Sequence, residues 1–338
     1  MAKCALITGS AGFIGYHLSK VLLEHGYKVV GLDGFSDYYD VSLKRRRHAM
    51  LSQSDGFVPV EGLLEADGLV MELFDTHRPD VVVHLAGQAG VRWSIENPRA
   101  YVDANLVGSF NILEAARAHK PAHLLMASTS SAYGANTHMP YRETDKADAQ
   151  VSFYAATKKA NEAMAHSYAH LYDIPTTMFR FFTVYGPWGR PDMAPYKFTK
   201  AILEGRTIDV YNHGDMKRDF TYVTDLVEGI RLLIDAAPER PADAGDIEAG
   251  DSLSTVAPWR IVNIGNGAPV NLMTFIEAIE AATGIEAQKN FMDMQPGDVP
   301  ATWADTTLLK RLTGYAPSMS IEDGMTQFVD WYRSYYDT

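Results

Sequence analysis

Thr8-Gly9-Ser10-Ala11-Gly12-Phe13-Ile14-Gly15 follows a short apolar run, Ala5-Leu6-Ile7, and opens an amphipathic run from Tyr16 to Glu24. Within that run Leu18, Val21, Leu22 and Leu23 share a face, so it reads as a helix. Strand, glycine turn and helix in this order make a dinucleotide site. Gly9 permits the tight turn, Gly12 lets the backbone approach a pyrophosphate, and Gly15 lets the helix pack close to its strand. The first helical amides, with Phe13 and Ile14, offer free N–H groups and a positive dipole end to the phosphates. The glycine spacing is GxxGxxG, not GxGxxG.

The next apolar run, Lys28 to Leu32, ends at Asp33, 18 residues beyond Gly15. A carboxylate there accepts hydrogen bonds from the adenosine ribose and repels a 2′-phosphate, so NAD is favoured over NADP. Phe57–Val60, Val81–Gly87 and Leu124–Ala127 read as further strands, with helices over Leu69–Phe74 and Asn105–His119. Alternating strands and helices predict an α/β fold, a doubly wound parallel sheet of the Rossmann type. Ligands of such sheets bind beyond the carboxyl ends of the strands. The glycine turn, Asp33, Leu85–Gln88 and Ser128–Gly134 therefore line one crevice, with Leu85, Ala86, Gln88 and Asn105 on its cofactor side. His84 reads as a core or strand-end histidine, and Lys44-Arg45-Arg46-Arg47 as a solvated helix face.

The chain has 338 residues, 46% hydrophobic and 21% charged, with a formal net charge of −12. That is enough for one large domain and a smaller one. The acidic balance argues against nucleic acid or an acidic membrane surface as partner. Cys4 is the only cysteine, so no internal disulfide can form. No secretory signal, no apolar run long enough to span a bilayer and no metal-binding cluster are visible, and the expectation is a soluble cytoplasmic protein. Ala236–Thr255 reads as an exposed linker or long loop.

Chemistry enters after Ala127. Thr129 lies in a hydroxyl-rich strand end, and Tyr154 and Lys158 are four residues apart, on one helix face. A lysine ammonium beside a phenol favours phenolate, which makes tyrosine usable as a base near neutral pH. Thr129 can hydrogen-bond the same substrate oxygen.

Gly9, Gly12 and Gly15 with Tyr154 and Lys158 resemble the extended short-chain dehydrogenase/reductases over essentially the whole chain. More narrowly, the sequence resembles the UDP-glucuronate 4-epimerases. The matching stretches are Asp37–Arg45, Ala89–Ser94, Val184–Ala194, Arg218–Val223 and Met294–Pro300. The resemblance implies a tightly bound NAD, regenerated at each turnover, and a UDP-sugar substrate oxidised and re-reduced at carbon 4. It makes Tyr154 the acid/base, with Lys158 and Thr129 assisting. It gives Arg190 to the sugar carboxylate, Ser130 and Ser131 to the same carboxylate or its neighbouring hydroxyls, Arg218 to the diphosphate, Asp298 to the uridine ribose and Tyr211 to uracil. Thr183 stands where many relatives acting on neutral sugars carry Asn. Arg92 is divided between a sugar or diphosphate contact and a structural role. Residues 1–182 are expected to hold NAD, with about 218–265 returning to that domain. Residues 183–217 and 266–338 are expected to form the smaller α/β substrate domain.

Related dehydratases and decarboxylases carry carboxyl groups where this chain has Ser130 and Ser131, so dehydration is disfavoured. The 4-keto uronate is a β-keto acid, and Arg190 with the serines is expected to hold its carboxylate against loss of carbon dioxide. Leu63 replaces the adenine-contacting Asp of relatives, which leaves Glu61 or Glu65 as substitutes. The leading alternatives are a 4-epimerase of neutral UDP-hexoses and a non-catalytic NAD-binding scaffold. A neutral sugar is expected to leave the Arg190 charge unpaired. The resemblance also implies a homodimer built on the helix after Ala104 and the helix of Tyr154, with Ala155, Ala163 and Met164 compatible with that packing.

Overall fold

The computed structural model describes residues 2–294 and 299–338. The first six strands, β1 (Cys4–Thr8), β2 (Lys28–Asp33), β3 (Phe57–Glu61), β4 (Val81–His84), β5 (His123–Ala127) and β6 (Thr176–Phe181), join the later β10 (Trp259–Ile264) in one parallel sheet. Its order, β3-β2-β1-β4-β5-β6-β10, reverses direction between β1 and β4, where such sheets open a ligand crevice. The central strands are buried along their whole length and mostly apolar because helices cover both faces.

One face packs α1 (Phe13–Glu24) and α9 (Val223–Ile234) on Ile7, Val29, Val83 and Leu125. The other packs α3 (Leu69–His77), α6 (Gly108–His119) and α7 (Phe153–Tyr172) on Leu6, Val30, Val82 and Met126. Helix α2 (Val41–Leu51), capped by Asp40, lies beside α1. His84 is a core residue, its ring nitrogens engaged by Thr8 Oγ1 at 2.8 Å and Ser109 Oγ at 3.0 Å. Burial pushes it down to about 3, so it stays neutral.

Strands β7 (Thr183–Tyr185), β8 (Ile208–Tyr211), β9 (Lys217–Tyr222), β11 (Pro269–Asn271), β12 (Lys289–Met292) and β13 (Ala301–Thr302) form two small sheets. They pack with α8 (Ala194–Leu203), α10 (Leu272–Thr283) and α12 (Ile321–Tyr336) around Tyr185, Phe220, Phe275 and Phe328. Strand β9 pairs with β7, β11 and β13, and the chain then returns to the large sheet through α9 and β10.

The basic cluster is not a solvated face. Arg45 and Arg46 are exposed, but Lys44 and Arg47 are buried, Arg47 completely. Leu43, Arg47 and Leu51 recur every four residues and form the buried stripe of α2. Ala155, expected to be compatible with a subunit interface, is fully buried within this chain, while Ala163 is exposed. Among the described residues no helix is long and apolar enough to cross a membrane.

Candidate active site

The glycine turn is closed on itself. A Cβ at Gly12 would lie 2.9 Å from the Gly9 carbonyl oxygen, and one at Gly15 would lie 2.0 Å from it. Gly9, at φ +74°, passes so close to β4 that a Cβ there would lie 2.9 Å from the Ala86 amide nitrogen. Only glycine fits these positions, and the resulting concavity ends at the first turn of α1, where the Phe13 and Ile14 amides lack intrahelical acceptors. Asp33 Oδ2 accepts from Ala11 N at 2.9 Å and Oδ1 from Phe35 N at 2.8 Å, so the carboxylate joins the end of β2 to the glycine turn. This cradle fits the pyrophosphate and ribose of NAD.

After β4, Leu85 and Ala86 donate their amides to Thr8 O and Thr8 Oγ1. Gln88 N donates to Asn105 Oδ1 at 2.7 Å. Asn105 Nδ2 in turn donates to Gln88 O and, at 3.0 Å, to Thr157 Oγ1 on α7. The expected helix at Asn105 begins as a π-helical turn, Val102–Val107, which turns Asn105 inward between the β4 loop and α7. Such turns concentrate at functional sites.

Thr129 follows β5 and opens a 3₁₀ turn, Ser130–Tyr133, through its oxygen, which accepts from Ser131 N at 3.2 Å. Beneath it lies a buried network: Arg180 donates to both Glu162 oxygens at 2.9 and 2.8 Å, and Ser128 Oγ donates to Glu162 at 2.6 Å. The two-pronged pair, with the Arg180 guanidinium also lying over the Tyr133 ring at 4.4 Å, fixes the end of β5. Ser152 caps α7 and presents Tyr154 and Lys158 towards this end.

The electrostatics differ from expectation in one respect. Burial raises the Tyr154 phenol, and a hydrogen bond with Thr129 and the charge of Arg190 pull it back. The lysine expected to lower it instead points its ammonium at Ala127 O, 3.1 Å away. Burial pushes Lys158 down to about 8. Thr129 is thus the hydrogen-bond partner of the Tyr154 phenol and Arg190 is near enough to act on its charge, with Lys158 beside Gly87.

Arg190 lies in the loop after β7 and is already paired. Its Nε and Nη2 donate to Asp192 at 3.0 and 2.5 Å. Tyr38 OH donates to the same carboxylate at 3.2 Å. Burial raises the Asp192 carboxyl, but Arg190 and Tyr38 outweigh it and hold it below the usual range. The expectation that a neutral sugar would strand an unpaired arginine charge therefore fails: the chain supplies its own carboxylate.

Arg92, after β4, places its guanidinium over the ring of Tyr211 at the end of β8, 5.7 Å from the ring centre. Thr183 and Arg218 sit on neighbouring strands, with Thr183 paired to Phe220. Arg218 donates to Lys217 O and Pro300 O. The acids flanking it serve elsewhere: Asp219 accepts from the amides of Asn266, Gly267 and Ala304, and Asp225 from Tyr315, Ser318 and Met319. Asp298, expected at the uridine ribose, lies outside the described residues.

At the adenosine end, Glu61 is held by Arg45 through two 2.6 Å bonds, so it is not a free substitute for the missing Asp. Leu63 is half exposed, against Gly34. Sequence reasoning missed Arg47, Tyr38 and Asp192, and it missed Tyr101, whose ring stands edge-on to Tyr154 at 6.0 Å. The four-residue recurrence of Leu43, Arg47 and Leu51 was the available signal for Arg47.

This fold and crevice define an NAD-dependent enzyme of nucleotide sugars. The chain belongs to the NAD dependent epimerase/dehydratase family, whose model matches residues 5–248. It is 56% identical to a probable UDP-glucuronate 4-epimerase of Rhizobium meliloti (strain 1021), covering 98% of this chain and 97% of that one. It is 45% identical to UDP-glucuronate 4-epimerase 4 of Arabidopsis thaliana, covering 98% of this chain and 75% of the relative. Among solved structures it is similar to UDP-glucuronic acid 4-epimerase from Bacillus cereus in complex with UDP-glucuronic acid and NAD. That match has a TM-score of 0.86 at 31% identity and covers 98% of this chain and 100% of the other.

Proposed function

We propose that this protein is an NAD-dependent isomerase that interconverts UDP-glucuronate and UDP-galacturonate through a transient 4-keto sugar. The observation that carries the reading is that Thr129 hydrogen-bonds the Tyr154 phenol while the Arg190 guanidinium lies near enough to act on its charge. Carbon 4 and the carboxylate of a uronic acid are neighbours on the ring, and these residues place an acid/base beside a carboxylate binder.

NAD, when bound, supplies the hydride acceptor and donor for carbon 4. The chain's residues do the rest. Tyr154 takes the proton of the 4-hydroxyl and gives it back to the 4-oxygen after the 4-keto sugar has turned to present its opposite face. Thr129 hydrogen-bonds the same oxygen. Lys158 holds the nicotinamide ribose and adds positive potential to the crevice floor. Arg190 holds the carboxylate, Ser130 and Ser131 the same carboxylate or its neighbouring hydroxyls, and Thr183 lines the sugar site, with Arg92 on the sugar or diphosphate and Tyr211, Arg218 and Asp298 on the nucleotide and diphosphate. Residues 1–182 with the return through about 218–265 carry NAD. Residues 183–217 and 266–338 carry the UDP-sugar.

The Arg190–Asp192 pair supports a second reading, a 4-epimerase of neutral UDP-hexoses, because it leaves no uncompensated charge when the sugar is neutral. Incubation with UDP-glucuronate without added reductant, followed by NMR, separates the two. Formation of UDP-galacturonate supports the first. Product from UDP-glucose alone moves the assignment to the second. NAD binding without turnover of either sugar leaves a scaffold.

A homodimer belongs to this proposal. Its support is the exposed apolar set Val107, Phe110, Val151 and Phe153 on or beside α6 and α7. A cytoplasmic setting and a role in polysaccharide biosynthesis belong to it as well, the former supported by the lone cysteine.

A further inference from the structure

Arg47 is a fully buried guanidinium on α2, and all four of its acceptors are uncharged. Nη1 donates to Ala11 O in the glycine turn at 2.9 Å and to Tyr39 OH at 3.0 Å. Nη2 donates to Trp188 O at 2.5 Å and Gly189 O at 3.4 Å. One planar fork therefore ties the turn that faces the cofactor to the loop that carries Arg190.

A second tether runs parallel to it. His17 on α1 donates Nε2–H to Pro187 O at 2.9 Å, and burial pushes the ring down to about 4, so it holds the bond in its neutral form. Between these tethers Trp188 adopts φ +62°, a conformation uncommon for a bulky residue. Its ring is wedged among Tyr16, Trp331 and Tyr335 at 5.9, 5.4 and 5.1 Å. The strain and the buried charge are both unfavourable, and they persist because the surroundings over-determine the loop.

We infer that Arg47 is a positioning residue for the sugar-acid end of the substrate site: it sets Arg190 relative to the bound cofactor by clamping the Trp188 loop onto the glycine turn. The inference rests on the proposed role of Arg190 at the sugar carboxylate. It assigns a function in substrate selection to a fully buried residue whose guanidinium bonds only to the protein's own glycine turn, Tyr39 and the Trp188 loop. A lysine at this position keeps the charge but cannot reach three loop carbonyls with one rigid fork.

The test measures binding of UDP-glucuronate and of UDP alone to NAD-loaded wild-type protein, Arg47→Lys, Arg190→Ala and the exposed-site control Arg46→Ala, by calorimetry. UDP lacks the sugar acid, so the ratio of the two affinities isolates that end of the site. Arg47→Lys is expected to weaken UDP-glucuronate about 10-fold more than UDP, as loss of charge-assisted hydrogen bonding predicts. Arg190→Ala should do the same and Arg46→Ala should not. Equal loss for both ligands in Arg47→Lys means a merely structural role and overturns the inference. If Arg47→Lys does not fold, His17→Gln, which loosens the parallel tether, carries the same decision. An unchanged ratio in Arg190→Ala removes the carboxylate role of Arg190 and this inference with it. Absence of epimerisation by the wild type, with the binding ratios as expected, removes the proposed reaction but not the clamp.

Discussion

Arg190 and Asp192 form a two-pronged ion pair in the loop after β7, with 3.0 and 2.5 Å contacts between a guanidinium and a carboxylate two residues apart. A substrate carboxylate arriving at Arg190 meets a group already complementary to it. It must share the guanidinium with Asp192 or displace it, and the free energy of that exchange enters the apparent affinity.

Asp192→Asn removes the internal competitor. The substrate-free variant should lose about 2 kcal/mol of stability, less than for a fully buried pair because both side chains keep some solvent access. UDP-glucuronate should restore more stability to the variant than to the wild type. Thermal unfolding with and without ligand measures both effects. An equal ligand-induced shift in the two proteins would falsify the competition.

Arg190→Ala and Ser131→Ala weaken the hold on the carboxylate of the 4-keto sugar. Charge that must leave the carboxylate as carbon dioxide departs is then less firmly retained. Both variants should release carbon dioxide and yield 4-keto-pentose, detected by mass spectrometry. If neither does so and neither loses preference for uronate over neutral sugar, these residues do not guard the carboxylate.

Tyr154→Phe should lower kcat by roughly 10²–10⁴-fold while NAD content and UDP-glucuronate affinity stay near wild type. Burial raises the tyrosine, so its proton must be lost from a weak acid. In the wild type kcat/KM should therefore rise with pH between about 6 and 9. The residual activity of the variant should lack this rise. A rise of the same size in both would assign it to another group.

Glu143 gives a stability signature away from the chemistry. Its carboxyl is buried beside β10, accepts from Asn263 N at 2.8 Å, and is pushed from 4.5 up to about 7 by burial. The folded protein binds the proton more tightly than the unfolded chain does. The group's contribution is thus fully present below pH 4.5 and is lost as pH rises through about 7. Glu143→Gln imitates the protonated form, so it should remove this slope. It should be more stable than wild type at pH 8, by about 3 kcal/mol at most. Denaturant unfolding at pH 5 and pH 8 measures the difference, and equal slopes for both proteins would contradict it.

The first half of the fold was legible because burial on both faces of a parallel sheet forces continuous apolar strands, and only glycine permits the turn at Gly9–Gly15. The helix that carries Tyr154 and Lys158 was legible as well, since the two residues follow helical spacing. What the sequence hid were partners made in three dimensions. Arg47 reads as a solvent-facing charge by composition, and only its place in the Leu43–Leu51 stripe marks it as buried. Asp192 pairs with Arg190 across two residues of irregular backbone, which has no periodicity to read. The direction taken by Lys158, towards Ala127 rather than Tyr154, depends on how closely β5 approaches α7.

The π-helical turn at Val102–Val107 makes chain length itself a functional constraint. Deleting one residue there would restore ordinary α-helical winding and rotate what lies on its amino-terminal side by about 100°. Asn105 would swing away from Gln88 and Thr157, and the two walls of the crevice would lose their shared bolt. The turn therefore behaves as a counted insertion: removing one residue from it would unseat Asn105 even with every other side chain kept.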